Sequence, residues 1–417
     1  MKMMKRFAAA MLALTMVFGL CNFSASAVGH VDGLKQTEWN KDWVSVSWNM
    51  FAGAEDYAIF IANTPNEAAM KYKKDISSVN NVMISGLNAG GTFYIQIRAY
   101  KKYVFGEKEC TETPAIATSD IFTITTLPET PAAPDSVIQT GATANTVTLT
   151  WSAVANVTGY EVRQYVDYNN EPVVADVPAS QGTSAVIGGL AYNVSNRYNV
   201  YSYVIAQNGQ KVYSSGYAYL WGTKTLPRAY ASGEFGISYL WTGLKETDFR
   251  ASSVNSNADD YVFQVKNKKT NKTVFTGKDL KMTGTTKNKF LKYRVRGYIN
   301  INNGQSKAYG PYSGYKYFAW MEGLGARRVG KKKAVKVSWK KVQGATGYDI
   351  RISTSKEGGY KKVKSISAKS NSVVVSKYGK KALKKNHTYY ILITPKTKVG
   401  KKTVKSEAKW YAQVTFY

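Results

Sequence analysis

Side chains that could act as catalytic bases are few and widely separated in this 417-residue chain. The two histidines, His30 and His387, have no neighbouring nucleophile or carboxylate pattern. Chemistry of the Ser-His-Asp type needs a base within hydrogen-bond reach of its nucleophile. Two isolated histidines far apart in the sequence do not indicate such an arrangement. We therefore expect no enzyme activity and no catalytic residue.

Carboxylate pairs occur in corresponding places, at Glu55-Asp56 and Asp259-Asp260. Each pair lies in a turn-like segment where Asp commonly forms the turn, so at most it could touch a calcium ion. The sequence has no His or Cys spacing typical of a metal site and no glycine loop for phosphate. We expect no metal and no cofactor.

Lysine is the residue type that most strongly indicates binding, because its distribution is very uneven. Residues 28–226 contain 13 Lys and Arg against 17 Asp and Glu, a net charge of −4. Residues 227–320 have a net charge of +10, and residues 321–417 have 25 cations against 4 anions, or +21. Solubility requires a net charge of only about 2 to 8 in magnitude, so the surplus predicts an anionic partner.

Runs of lysine in residues 321–417 fall mostly where turns and strand ends are expected. For any single pair, the alternative is a solvated face without a partner. The candidate polyanion-binding residues are Lys331, Lys332, Lys333, Lys340, Lys341, Lys361, Lys362, Lys380, Lys381, Lys384, Lys385, Lys401 and Lys402.

The expected partner is an anionic polysaccharide or teichoic acid, with a carbohydrate or host glycan as the alternative. Only three of the 25 cations in residues 321–417 are arginine, so binding would use point charges and weaken in salt. The sequence shows no pattern typical of a recognition helix, a zinc finger or an aromatic stacking platform for a nucleic acid.

The elements that must position these lysines follow from a repeat in which a tryptophan precedes a tyrosine by nine positions. It occurs at Trp48 and Tyr57, at Trp151 and Tyr160, and at Trp339 and Tyr348. Each tryptophan closes a run of alternating apolar residues and each tyrosine opens another, which predicts two β-strands joined by a turn. Repeats of about 100 residues fit one two-sheet sandwich each.

A fourth, degenerate copy lies between the second and third matches. Its alternating residues Ile237, Tyr239 and Trp241 predict the strand that the tryptophan closes, but Tyr261 comes late. The simplest account is an insertion over about residues 242–257, in the turn after that strand.

Together with a leucine about six residues before a strand-opening aromatic, as at Leu87 and Phe93 or Leu383 and Tyr389, these features resemble the fibronectin type III family. The resemblance implies an all-β tandem array of four immunoglobulin-like β-sandwiches, over residues 28–127, 128–226, 227–320 and 321–417. It also implies a tyrosine corner, in which the hydroxyl bonds back to the backbone. The last copy is similar to the lysine-rich modules that end many secreted proteins of Gram-positive bacteria.

Residues 1–27 are predicted to be a secretory signal peptide, because Lys2, Lys5 and Arg6 precede the apolar run from Phe7 to Cys21 and Ala25-Ser26-Ala27 follows. The apolar run is too short for a membrane span. We therefore expect a secreted protein, extracellular or associated with the cell wall, in which Cys110 is the single remaining cysteine.

Two aromatic clusters support a second hypothesis, an adhesin or carbohydrate-binding protein. Exposed rings at strand spacing can stack on sugars, although cross-strand packing explains them as well. A further candidate is the segment of Thr247, Asp248, Phe249 and Arg250 with the Ser-Asn run that follows, either as a recognition loop or as a disordered excursion. The clusters are Tyr213, Tyr217, Tyr219 and Trp221, and Tyr309, Tyr312, Tyr315, Tyr317 and Trp320.

Overall fold

Alternating apolar residues form β-strands throughout the part of the chain that the structure describes. The computed structural model covers residues 28–192, 194–237, 246–251, 257–281, 284, 286–330 and 333–416. The predicted signal peptide lies outside these residues. The chain divides into two compact units. The first contains the residues up to Pro131 and the hairpin Tyr203–Tyr213, and the second contains Ala132–Ser202 and Ser214–Tyr417.

The first domain has nine strands, the 3-10 turn Glu67–Ala69 and the short helix α1 (Glu107–Glu112). Its strands are β1 (Gly29–His30), β2 (Lys35–Trp39), β3 (Trp43–Ser47), β4 (Asp56–Ala62), β5 (Lys71–Ser77), β6 (Asn81–Ser85), β7 (Thr92–Tyr100), β8 (Ala117–Thr118) and β9 (Phe122–Thr125). One sheet has the order β2-β3-β6, and the other has the order β1-β8-β7-β4-β5 with β9 beside β7.

The second domain repeats this arrangement with eight strands and the 3-10 turn Ala179–Gln181. Its strands are β10 (Val137–Ala142), β11 (Val147–Trp151), β12 (Gly159–Tyr165), β13 (Val173–Pro178), β14 (Ser184–Ile187), β15 (Ser195–Ile205), β16 (Lys211–Tyr213) and β17 (Ala218–Lys224). The sheets have the orders β10-β11-β14 and β13-β12-β15-β16, with β17 beside β15.

The third domain has the same two sheets among its described residues. Its strands are β18 (Phe235–Ile237), β19 (Glu246–Ala251), β20 (Asp260–Asn267), β21 (Thr273–Gly277), β22 (Asp279–Lys281), β23 (Phe290–Ile301), β24 (Ser306–Tyr309) and β25 (Lys316–Ala319). They are ordered β18-β19-β22 and β21-β20-β23-β24, with β25 beside β23.

The fourth domain, which carries the candidate lysines, adds a small hairpin to the two sheets. Its strands are β26 (Gly325–Arg328), β27 (Val335–Ser338), β28 (Gly347–Ser353), β29 (Lys361–Ser367), β30 (Ser372–Val375), β31 (Lys377–Tyr378), β32 (Lys381–Ala382), β33 (His387–Val399), β34 (Lys402–Lys405) and β35 (Trp410–Phe416). The sheets are β26-β27-β30, β29-β28-β33-β34 with β35 beside β33, and β31-β32.

The fold class predicted from the sequence is therefore confirmed: the described strands form four successive β-sandwiches. Each packs a three-stranded sheet on a larger one, as the resemblance to fibronectin type III implied. Among the described residues, no helix is long and apolar enough to cross a bilayer.

The repeated tryptophan and tyrosine meet inside their sandwich, which explains their constant spacing. In each of the three matching copies the two rings pack together, and the tyrosine hydroxyl accepts a hydrogen bond from a backbone N–H six residues earlier. The ring centroids are 5.4 Å apart for Trp48 and Tyr57, 5.5 Å for Trp151 and Tyr160, and 5.0 Å for Trp339 and Tyr348. In the same order of copies, the N–H donors to the tyrosine hydroxyls are Phe51 at 2.7 Å, Val154 at 2.8 Å and Val342 at 3.0 Å. The bond ties the turn to the core.

In the third domain, the predicted insertion is wrong where the structure describes it, because residues 246–251 form a strand. Two residues of the predicted strand, Tyr239 and Trp241, lie outside the described residues. The strand in the tryptophan position is β19, which lies between β18 and β22 and falls within the predicted insertion. Residue Phe249 of β19 is 1% exposed and packs on Phe263 and Tyr293 at ring distances of 5.0 and 5.2 Å. The prediction took the alternation that ends at Trp241 for the core strand, whereas the described core strand is β19, in which Phe249 is buried. Positions 242–245 and 252–256 of the predicted insertion lie outside the described residues, and its last residue, Asn257, is buried.

The third and fourth domains share one hydrophobic core rather than two. Residue Trp320 packs against Trp410 across their junction, and the Nε1–H of Trp410 donates to the carbonyl of Ala319 at 2.8 Å. Two backbone hydrogen bonds of 2.8 Å also join Gln343 to Asn288 and Phe290. This junction fixes one end of the lysine-rich domain.

Candidate polyanion-binding surface

Eleven of the thirteen candidate lysines lie in the described part of the chain, and all eleven are exposed. The other two, Lys331 and Lys332, lie outside the described residues. None of the eleven forms an ion pair within the part of the chain that the structure describes. Their charge is therefore available to a partner.

Six of these lysines gather at one end of the fourth domain, which we call the lysine end. Strand β29 begins at this end, beside the β31-β32 hairpin. The contact that shows their proximity joins the Nζ of Lys361 to the ring of Tyr378, whose centre is 4.5 Å away. In the hairpin, Tyr378 pairs with Lys381. The lysine end consists of Lys361, Lys362, Lys380, Lys381, Lys384 and Lys385.

A seventh lysine, Lys333, joins this end through the smaller sheet. It precedes β27, and Val335 of β27 pairs with Val375, which is followed by the hairpin. The chain is anchored nearby by the tyrosine corner implied by the family resemblance, in which the N–H of Lys384 donates to the hydroxyl of Tyr389 at 2.9 Å. The lysine end thus lies on an ordered scaffold.

The remaining four candidates are brought to the opposite end. Residues Lys340 and Lys341 follow β27, and Lys401 and Lys402 form the tip of the β33-β34 hairpin. The loop that carries Lys340 and Lys341 packs on the third domain, since Gln343 of this loop forms backbone hydrogen bonds with Asn288 and Phe290. The sequence predicted one basic domain, and the structure divides its charge between two ends.

Three of the four carboxylates of residues 321–417 are already neutralised by lysines outside the candidate set. Glu322 pairs with Lys287 at 2.9 Å, and Glu407 pairs with Lys316 at 3.1 Å. The third, Asp349, pairs with a lysine on each of two neighbouring strand segments.

The carboxylate of Asp349 stays ionised although it is largely buried against the sheet. Burial alone would raise its pKa, but hydrogen bonds from Lys396, Ser365 and Lys405 outweigh burial and lower the pKa to about 2. The Nζ of Lys396 is 2.8 Å and that of Lys405 3.3 Å from its oxygens. These pairs leave the candidate lysines uncompensated.

The aromatic cluster of the second domain is an exposed stack on the larger sheet. Residues Tyr219 and Trp221 are 58% and 61% exposed. The guanidinium of Arg197 lies 4.4 Å from the Trp221 ring centre and 4.2 Å from that of Tyr165. These cation–π contacts hold the rings on the sheet, and Tyr219 and Trp221 remain more than half exposed.

The aromatic cluster of the third domain is packed more deeply. Residue Arg294 stacks on Tyr312 at 3.7 Å, and Arg296 stacks on Tyr309 at 3.8 Å. Trp320 is only 4% exposed and belongs to the core. The sequence analysis did not predict that arginines stack on the rings of both aromatic clusters. The alternating positions of Arg294 and Arg296 in a predicted strand were a signal for the second cluster.

The two histidines and Cys110, the side chains best able to act as a base or a nucleophile, contact groups that stabilise the fold. The ring Nε2 of His30 is 3.4 Å from the carboxylate of Asp32, and the ring Nδ1 of His387 contacts the backbone carbonyl of Lys385. Burial raises the pKa of the Cys110 thiol to about 11, so the thiol is protonated at neutral pH. Within the described ranges, no group of three or more His, Cys, Asp and Glu is placed to hold a metal ion.

Three of the four carboxylates of the repeated turns already have partners. The side chain of Asp56 is fully buried and accepts the N–H of Val104 at 2.8 Å. Asp259 pairs with Lys224 at 2.5 Å, and Asp260 pairs with Lys278 at 2.6 Å. These contacts are structural, which leaves the turns little capacity for calcium.

The described strands define a protein built from tandem β-sandwiches similar to fibronectin type III domains. No family model matches the chain, and no curated protein matches it. Among solved structures, the chain is similar to a two-domain fibronectin type III segment of chicken tenascin, with 18% identity over 46% of this chain and 98% of that one. The TM-score of 0.22 is too low to support any conclusion about function.

Proposed function

We propose that this protein is a non-catalytic, secreted binding and spacer protein that attaches to an anionic polymer through the lysine end of its fourth domain. The polymer class that best fits is a teichoic acid or another anionic polysaccharide of a Gram-positive cell wall. The single observation that carries the proposal is the set of exposed lysines without ion-pair partners in the described chain. The like charges of a domain with a net charge of +21 repel one another, so a polyanion that binds them also stabilises the domain.

The chemistry of lysine determines the expected behaviour of this contact. An ammonium group is a hydrated point charge, so recognition should depend on charge density more than on sugar identity. Release of counterions from the polymer makes such binding strongly dependent on salt. The first two domains, with a net charge of −4, would not compete for the same polymer.

The test is sedimentation of the full-length chain with Gram-positive wall sacculi before and after removal of teichoic acid, at about 50 and 500 mM salt. We expect sedimentation at low salt with the polymer present. A lysine-end variant with Lys380, Lys381, Lys384 and Lys385 changed to Gln should remain in solution.

The matched control is a variant with the same number of changes at the opposite end of the domain, in which Lys340, Lys341, Lys401 and Lys402 become Gln. We expect this variant to sediment like the unmodified chain. Equal loss in both variants would mean that the charge acts diffusely and that the lysine end is no special site. A chain that stays in solution under all conditions would refute wall attachment.

A second candidate function is carbohydrate binding through the aromatic face of the second domain. The observation that favours it is the exposure of Trp221 and Tyr219, whose rings are held by Arg197. Stacking of a sugar on these rings would persist in salt and disappear in the variant Trp221→Ala. Retention on an insoluble polysaccharide column at about 500 mM salt distinguishes this function from charge-driven attachment.

The other location of this alternative, a recognition loop in the third domain, is wrong for the part that the structure describes. Residues 246–251 form β19, and Phe249 fills the core instead of facing solvent. The Ser-Asn run that follows lies outside the described residues.

A further inference from the structure

A groove of about 660 Å³ lies on the outer face of the larger sheet of the fourth domain. Its floor is formed by β28, β33 and β35, one wall is the loop between β28 and β29, and Ile237 of the third domain lines the rim. Small-ligand sites usually have volumes of about 300 to 1,000 Å³. None of the lysines predicted as binding residues lines this groove.

Strand register places three different side chains in one row across the groove floor. Arg351 of β28 pairs with Leu392 of β33, which pairs with Tyr411 of β35. Neighbouring strands are about 4.8 Å apart, so the row spans about 10 Å. A guanidinium, an apolar surface and a phenol ring therefore lie side by side on one face.

The groove is also positively charged once its internal pairs are counted. Its lining contains the cations Arg351, Lys356, Lys405 and Lys409 and the carboxylates Asp349, Glu357 and Glu407. Lysines outside the lining, Lys396 and Lys316, already bind the carboxylates of Asp349 and Glu407. In the described chain, Arg351 and Lys409 form no ion pair.

We propose that this groove binds an acidic saccharide, with the carboxylate of a hexuronic acid on Arg351 and Lys409 and the sugar ring against Tyr411. A planar guanidinium forms two parallel hydrogen bonds to a carboxylate, which the point charges of the lysine end cannot do. The half-buried Tyr411 offers its ring to the apolar face of a pyranose, and Leu392 supplies the dry floor between them. The proposal rests on the proposed function for the class of its ligand, and it adds a site that selects one unit of the polymer.

The test is calorimetric titration of the full-length chain with tetragalacturonate, a short oligomer of uronic acid, and with a neutral oligosaccharide of the same length. The groove variant is Arg351→Gln with Lys409→Gln. The control variant, Lys364→Gln with Lys369→Gln, removes the same charge from exposed positions outside both the groove and the lysine end. We expect the groove variant to lose about tenfold or more of the affinity for tetragalacturonate, the effect of a charge-assisted hydrogen bond, and the control variant to keep it.

Each outcome decides the question. Equal losses in both variants, equal binding of the neutral oligosaccharide, or no binding of tetragalacturonate would overturn the groove site. The single change Lys409→Gln, at an exposed position, gives the same information if the double variant does not fold. Binding of tetragalacturonate by a chain that fails to sediment with wall sacculi would retain the groove and refute wall attachment.

Discussion

Trp320 of the third domain and Trp410 of the fourth pack edge to face, with their ring centroids 5.0 Å apart. The two side chains are 4% and 1% exposed. The buried hydroxyl of Tyr293 in the third domain also donates to the carboxylate of Glu407. A tandem repeat would allow each domain to unfold alone, but this junction makes the last two domains one structural element.

Replacement of Trp410 by Ala is therefore expected to destabilise both domains. The loss of a buried tryptophan costs about 3 to 5 kcal/mol, part of which is felt across the shared core. Hydrogen exchange of the full-length chain should rise in β23 and β25 as well as in β33. The control is Trp221→Ala, at a 61% exposed position, which should change stability by less than about 0.5 kcal/mol. Faster exchange confined to the fourth domain would contradict the coupling.

Replacement of Phe249 by Ala tests the strand that the structure assigns to the third domain. Three aromatic rings lie around Phe249 within ring distances of 5.0 to 5.8 Å, so the cavity left behind should cost about 3 to 5 kcal/mol. Hydrogen exchange in β20 and β23 should increase. The matched control is Phe105→Ala, because Phe105 is 71% exposed. An unchanged exchange rate for Phe249→Ala would mean that β19 is not a core strand.

Two tyrosine-to-phenylalanine changes should have opposite effects. The hydroxyl of Tyr389 accepts the N–H of Lys384, so Tyr389→Phe leaves a backbone donor unpaired at a cost of about 1 to 3 kcal/mol. The buried hydroxyl of Tyr198 has no hydrogen-bond partner in the described chain, so Tyr198→Phe should be neutral or stabilising. Denaturant unfolding of each variant provides the comparison, and a larger loss for Tyr198→Phe would refute the assignment of the corner.

Acid should weaken the fourth domain through Asp349. Hydrogen bonds and ion pairs lower the pKa of this carboxyl to about 2 in the folded chain, below the value of about 3.9 expected when unfolded. A lowered pKa means that the stabilisation is present above about pH 4 and is lost as the pH falls toward 2. Thermal unfolding of the chain and of Asp349→Asn should therefore differ at pH 7 and converge near pH 2. A difference that persists near pH 2 would assign the effect to another group.

Much of this architecture could be predicted from the sequence, because its determinants are local. Alternation of apolar residues sets the face of a strand, and the spacing of Trp339 and Tyr348 sets the turn that joins two strands. Charge is also additive along the chain, so the basic fourth domain was predictable without coordinates. The arrangement of four β-sandwiches follows from these features alone.

Tertiary structure alone decided what depends on contacts between distant residues. Strand pairing with β18 and β22 places β19, and with it Phe249, in the core of the third domain. The separation of the lysines into two ends depends on which loops meet, and the groove depends on the register that places Arg351 beside Leu392. The sequence by itself determined the strands and the charge, whereas folding decided their neighbours, since register and packing are properties of pairs far apart in the chain.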